Sequence, residues 1–216
     1  MTKKELPEHI PLIGFAGSPW TILCYMVQGS GSKTFDIAKS FCFENPELAH
    51  MLLEKITHIT IEYLKKKIEA GVDAVQIFDS WGGVLSHTDY NIFSFPYIKK
   101  INDALKLLKP IIIYPKGCWH AINSYSKIGA SGLGIDWSCS ARNARYLSGN
   151  NITLQGNMDP SRLFSPKNEL IKLTKEMLNE FGNQKYIANL GHGILPNTPV
   201  DNVKVFVDTI KSFSND

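Results

Sequence analysis

Six short runs of apolar residues recur along the chain: IPLIGFAGSPW at 10–20, DAVQIFDSWGG at 73–83, PIIIYPKG at 110–117, GLGIDWS at 132–138, ITLQGNMDP at 152–160 and YIANLGHG at 186–193. Each closes on small or polar residues. Runs this short and this continuous predict strands buried on both faces. Between them apolar positions return every three or four residues, the spacing of one helix face. The clearest such stretch, PELAHMLLEKITHITIEYLKKKIEAG at 46–71, predicts a helix that buries Leu52, Ile56, Ile59, Tyr63 and Ile68 and stops at Gly71. Helices are also predicted within 95–109, 120–130, 140–150, 160–182 and 199–213. The rhythm is a strand followed by a helix, six times over.

Strands without alternation, interleaved with helices, imply a parallel sheet covered on both faces, either an open doubly wound sheet or a (β/α)8 barrel. In both, ligand groups gather where strands end. Ser80, Lys116, Asp136, Asn157 and His192 all fall at such ends. Polar side chains from so many strands favour a barrel mouth over the single crevice of an open sheet. Six units fall two short of eight, so the expected fold is an α/β, (β/α)8 barrel that is incomplete. An arc of this kind is expected to leave strand edges and apolar faces uncovered. With no linker, low-complexity tract or further repeat, the chain reads as a single domain over 1–216.

Composition adds exclusions. In 216 residues, 44% are hydrophobic and 20% charged, enough for one sizeable core. The net charge of +3 comes mostly from lysines scattered along helical stretches, so no nucleic-acid partner is expected. The early apolar run TILCYMV is too short to cross a bilayer, and no leader pattern precedes it, so the expected location is cytoplasmic. Cys24, Cys42, Cys118 and Cys139 form no CxxC pair, which suits thiols in a reducing compartment better than disulfides. The six histidines are dispersed, and only His50 and His58 share a helix, so no metal site is expected.

Candidate motifs each have a plain reading beside the functional one. VQGSGSKT at 27–34 has Val27 and Ser32 where a phosphate loop needs glycine, and it reads as a loop after a helical turn. No GxGxxG follows a strand. His192, flanked by glycines, is either a turn histidine bonded to backbone or a group on the ligand face of a parallel barrel. Ser80 caps a helix or faces a ligand, and Asp79 beside it alternates to the other side. Tyr25, within WTILCYM, reads on its own as a core aromatic. No nucleophilic triad is present.

Taken in order, GFAGSPWTILCYMVQG, FDSWGGVLS, GIDWS, TLQGNMDPSRLF and YIANLGHGILPNTPVDNV closely resemble the uroporphyrinogen decarboxylase family of haem biosynthesis, from about residue 10 to 212. The resemblance implies a (β/α)8 carboxy-lyase that converts the four acetate arms of uroporphyrinogen III to the methyls of coproporphyrinogen III without metal or organic cofactor. It implies homodimers in the full-length family. It also implies that this chain corresponds to strands three to eight, the family's arginine-rich motif and catalytic aspartate having no counterpart here. Substrate-binding roles carry over to Tyr25, Ser80 and His192, and no catalytic residue is assigned. None of the three arginines, Arg142, Arg145 and Arg162, matches a binding position. On that basis the chain alone is expected to be a poor decarboxylase or none. A corrinoid-dependent methyltransferase of the same superfamily is the nearest alternative, but Tyr114 and Lys116 stand where its His-x-Cys zinc ligands would fall. A non-catalytic porphyrinogen-binding remnant and, more remotely, a nucleotide-binding module resting on GSGSKT are alternatives of other classes.

Overall fold

Residues 2–149 and 151–213 are described in the computed structural model. They form α1 (Thr2–Glu5), β1 (Ile13–Gly17), α2 (Pro19–Gln28), α3 (Asp36–Glu44), α4 (Pro46–Glu69), β2 (Ala74–Asp79), α5 (His87–Phe93), α6 (Phe95–Leu105), β3 (Ile111–Pro115), α7 (Ile122–Lys127), β4 (Gly132–Gly134), α8 (Ala141–Ser148), β5 (Thr153–Met158), α9 (Lys167–Phe181), β6 (Tyr186–Leu190) and α10 (Val200–Ser212). The class is α/β, an incomplete (β/α)8 barrel with six strands among the described residues. The chain divides into two compact units, one ending at Gly132 and the other beginning at Leu133.

In the first unit β1, β2 and β3 pair in parallel, Ile13 opposite Ala74 and Val75 opposite Ile111. Val75, Ile77, Ile111 and Ile113 are fully buried, and Leu53 and Leu64 of α4 and Ile98, Ile101 and Leu105 of α6 join them. Each such side chain contributes about 1.5–3 kcal/mol on leaving water. In the second unit β5 and β6 pair in parallel, Leu154 opposite Tyr186. Its core combines Leu133 and Leu154 with Ala144 of α8, Leu170 of α9 and Phe206 of α10. Asn202 donates to the carbonyls of Leu163 (2.7 Å) and Ser165 (3.0 Å), fixing α10 to the 3-10 turn Pro160–Phe164.

Several elements differ from the sequence reading for physical reasons. The buried stripe of α4 is Ala49, Leu53, Ile56, Thr57, Thr60 and Leu64. The predicted face holds only at Ile56; Ile59 is 66% and Tyr63 51% exposed. Threonines replace them because Thr57 buries its hydroxyl by donating to the Leu53 carbonyl at 2.7 Å, which removes the cost of an unpaired polar group. The stretch 160–182 is two elements, since Pro166 supplies no backbone N–H and ends the 3-10 turn before α9 begins. In 10–20 only Ile13–Gly17 is strand; Ser18 caps α2 by accepting the Thr21 N–H, and Pro19 occupies its first turn. The short helices α3 and α5 had no clear periodicity to announce them.

Strand β1 keeps uncovered apolar surface, with Ile13 and Phe15 both exposed, as Ile187 is on β6. Lys67 donates to the Phe15 carbonyl at 3.0 Å, and its ammonium lies 4.9 Å from the Phe15 ring centroid. A lysine over an exposed strand carbonyl opposes pairing with another chain.

Glycine is required at one turn after β2. A Cβ on Gly82 would come within 2.7 Å of both Asp79 Oδ2 and Tyr90 Cε2 and 2.8 Å of Cys118 Sγ. Gly31 meets nothing within 4 Å and has no left-handed backbone. Gly82→Ala is therefore expected to cost about 1–3 kcal/mol in chemical denaturation, while Gly31→Ala changes stability by less than about 0.5 kcal/mol. Equal effects of the two substitutions would contradict the packing described.

Candidate functional site at the strand ends

The end of β2 is organised by one buried carboxylate. Asp79 is fully buried and accepts hydrogen bonds from Ser18 Oγ at 2.6 Å, Ser94 Oγ at 2.6 Å and Thr21 Oγ1 at 3.2 Å. Those hydroxyls belong to the start of α2 and to the residue preceding α6, so a single side chain joins two helices to the strand. Burial raises the Asp79 pKa from its ordinary value, because it penalises the charged form; the hydroxyl donors oppose that shift without cancelling it. Beneath it Tyr90 and Tyr125 share a 2.6 Å hydrogen bond, and burial holds both phenols well above their usual range.

Ser80 follows Asp79 directly, in the turn past the end of β2, and is half-buried. The next residue is gripped through its peptide: the Trp81 N–H donates to Thr21 Oγ1 at 3.4 Å, and its carbonyl accepts from Trp20 Nε1 at 2.9 Å. Its indole Nε1 donates to the Tyr25 hydroxyl at 2.8 Å. Tyr25 is 47% exposed, so the plain expectation of a core aromatic does not hold. The phenol is drawn out by that polar partner and rests edge-on against Phe35 (5.9 Å) and Trp81 (6.3 Å). Phe35 is buried with its ring 4.7 Å from Trp81, and the Lys116 ammonium at the end of β3 is 5.8 Å from the Trp81 ring. Tyr25 and the Ser80–Trp81 turn thus share one corner of the first unit. The sequence names Ser80 by its position, whereas Trp81 enters the site only through its bond to Tyr25, 56 residues away along the chain. Phe35 gives no sequence signal, since its left-handed φ of 49° is unusual for an aromatic residue.

In the second unit His192 is exposed and directly follows a closely packed glycine. A Cβ on Gly191 would meet Trp137 Cε3 and Trp137 N at 3.0 Å and the Asn157 carbonyl at 3.1 Å, so the residue before His192 must be small. Asn157 braces the same end, donating to the carbonyls of Asp136 (3.1 Å) and Cys139 (2.7 Å). Asp136 accepts from the Ser138 N–H at 2.8 Å. These two strand-end polar residues therefore shape turns. Arg145 donates to the carbonyls of Ile152, Gln184 and Lys185 at 2.9–3.2 Å, a structural clamp.

The remaining reactive groups are quiet. Cys24, Cys42, Cys118 and Cys139 are buried thiols outside any disulfide among the described residues, and burial pushes the Cys42 thiol up to about 12. The glycine-containing loop at 29–35 follows helix α2, where a phosphate loop would follow a strand; Ser32 Oγ accepts from the Thr34 and Phe35 N–H groups, bracing the turn. Among the described residues no three His, Cys, Asp or Glu side chains cluster as metal ligands, and no helix is long and apolar enough to cross a membrane.

A family model described as uroporphyrinogen decarboxylase (URO-D) matches residues 1–213. Uroporphyrinogen decarboxylases from Flavobacterium johnsoniae and Christiangramia forsetii are each 62% identical over 213 residues, covering 99% of this chain and 62% of theirs. The chain thus spans about three-fifths of the length of these relatives. Among solved structures, a methyltransferase from Methanosarcina mazei aligns with a TM-score of 0.78 over 97% of this chain and 60% of its own, at 22% identity. That likeness shows the shared fold alone.

The buried carboxyl gives a pH signature. A folded pKa above the unfolded value, about 3.9 for aspartate, contributes stability that is complete below the unfolded value and is lost as pH rises through the folded one. The unfolding free energy of the native chain is therefore expected to fall relative to Asp79→Asn as pH climbs out of the ordinary carboxylate range. Denaturant titrations of both proteins from pH 3 to 8 check this; a native chain that gains on Asp79→Asn over that range overturns it.

Proposed function

The chain belongs to the uroporphyrinogen decarboxylase family, and we propose that it acts in the cofactor-free decarboxylation of uroporphyrinogen III to coproporphyrinogen III in haem biosynthesis. The observation that carries the reading is the 62% identity to named decarboxylases across 99% of the chain. The geometry supports it with an exposed phenol and a half-buried serine at one strand-end corner and an exposed histidine after β6. In the proposal Tyr25 and Ser80 donate to substrate carboxylates and His192 contributes a further donor.

The chemistry asks for such groups. Protonation of a pyrrole carbon makes the ring an iminium. The bond to the acetate carboxyl then breaks, and its electron pair passes through the methylene to the ring as CO2 leaves. A proton added to the methylene, with loss of the ring-carbon proton, completes the methyl. A protein serving this reaction holds several carboxylates in place and favours the ring cation. Neutral hydroxyls do the first task. The second is assigned to no residue of this chain, so turnover by the chain alone is expected to be weak. The reading further carries a cytoplasmic location, a homodimer as assembly, and no nucleic acid as partner.

The test uses the purified chain and uroporphyrin, the stable oxidised octacarboxylate, in a fluorescence titration. Binding is expected, and Tyr25→Phe, Ser80→Ala and His192→Gln are each expected to weaken it about five- to tenfold, the worth of one hydrogen bond. Incubation with uroporphyrinogen is expected to release little CO2. Failure of the native chain to bind overturns the reading; normal turnover overturns the absence of a catalytic group.

A further inference from the structure

The hydrogen bond between Trp81 and Tyr25 has a fixed direction. An indole N–H donates and has no lone pair to accept with, whereas a phenol does both. At 2.8 Å the Tyr25 oxygen therefore accepts from Trp81, and the Tyr25 proton is turned away from that partner. The donor is itself immobilised: the Trp81 peptide is held on both sides by Thr21 and Trp20, and its ring is backed by Phe35 at 4.7 Å. Thr21 in turn bonds the buried Asp79 at 3.2 Å. The orientation of an exposed hydroxyl is thus set from the interior through a rigid aromatic side chain.

We propose that Trp81 is a positioning residue that fixes Tyr25 as a donor, so that this corner selects ligand groups that only accept hydrogen bonds, carboxylates above all. The proposal rests on the function proposed above and names the group that makes the Tyr25 contact selective. Trp81 acts through Tyr25 and needs no contact with the ligand. An unconstrained phenol spends part of its time with the proton turned elsewhere, and that freedom is lost again on binding.

Two measurements test it. In a chain with 15N-labelled indole groups, the side-chain N–H resonance missing from Trp81→Phe is expected to move upfield in Tyr25→Phe; an unmoved resonance overturns the hydrogen bond without any ligand present. In uroporphyrin titrations Trp81→Phe is expected to weaken binding about five- to tenfold, and Tyr25→Phe/Trp81→Phe to be no weaker than Tyr25→Phe alone. Additive losses, or no loss in Trp81→Phe, overturn the positioning role while leaving the proposed function standing. A native chain that binds no uroporphyrin overturns both, even where the resonance shift is found.

Discussion

The first unit depends on a carboxylate that has been taken out of water and given three hydroxyls in exchange. A buried carboxyl is costly unless its oxygens are satisfied. Asp79 meets that requirement with Ser18 and Thr21 at the start of α2 and Ser94 before α6. The same bonds serve as joints. They fix where α2 starts relative to the end of β2, and the α2 residues that follow then have nowhere else to go. Trp20 and Thr21 reach the Trp81 peptide, and Tyr25, one turn further along, reaches the Trp81 ring. The exposed corner inherits its geometry from an interior carboxyl group, a common way to hold a binding group more precisely than a loop does by itself.

The second unit reaches the same end by different means. The approach to His192 is set by exclusion, because Gly191 lies against Trp137 and the Asn157 backbone with no room for a side chain. Asn157 then holds the neighbouring turn by donating to two carbonyls. A glycine packed on an indole, its N–H donating to the Met158 carbonyl at 2.7 Å, gives the chain a close-packed path, and the histidine that follows remains exposed.

Much of this was legible in the sequence, and the parts that were not share a cause. Continuous apolar runs located all six strands, since buried parallel strands tolerate little else. Helix existence was readable wherever apolar spacing was regular, as in α9 and α10. The buried face of α4 was not, because the sequence offers more large apolar residues than the face holds, and Thr57 enters it by bonding backward to its own helix, with Thr60 buried beside it. Ser80 was identifiable by position alone. Trp81 was not, since its role depends on Tyr25, 56 residues away along the chain, and hydropathy treats an indole as bulk. The breadth of the family match reflects the same division: order and spacing of strand-end motifs are one-dimensional signals, while a hydrogen bond between distant residues is not.

Under the proposed function the neutral hydroxyls of Tyr25 and Ser80 have a physical logic, although the Lys116 ammonium stands 5.8 Å from the neighbouring Trp81 ring. An arginine fork binds a carboxylate strongly, and that strength falls on the ground state of a group about to leave as CO2. Tight binding of the departing carboxylate would deepen the well from which reaction starts. A phenol or a serine hydroxyl orients a carboxylate through a single O–H, without the net positive charge and paired N–H donors of a guanidinium, so less of the gain must be surrendered as the carbon–carbon bond breaks and the negative charge drains into the ring. In this chain Arg145 is spent on three backbone carbonyls, away from any such role. Oriented neutral donors can therefore position an acetate without opposing its loss, and for Tyr25 that orientation is supplied by Trp81 and behind it by Asp79.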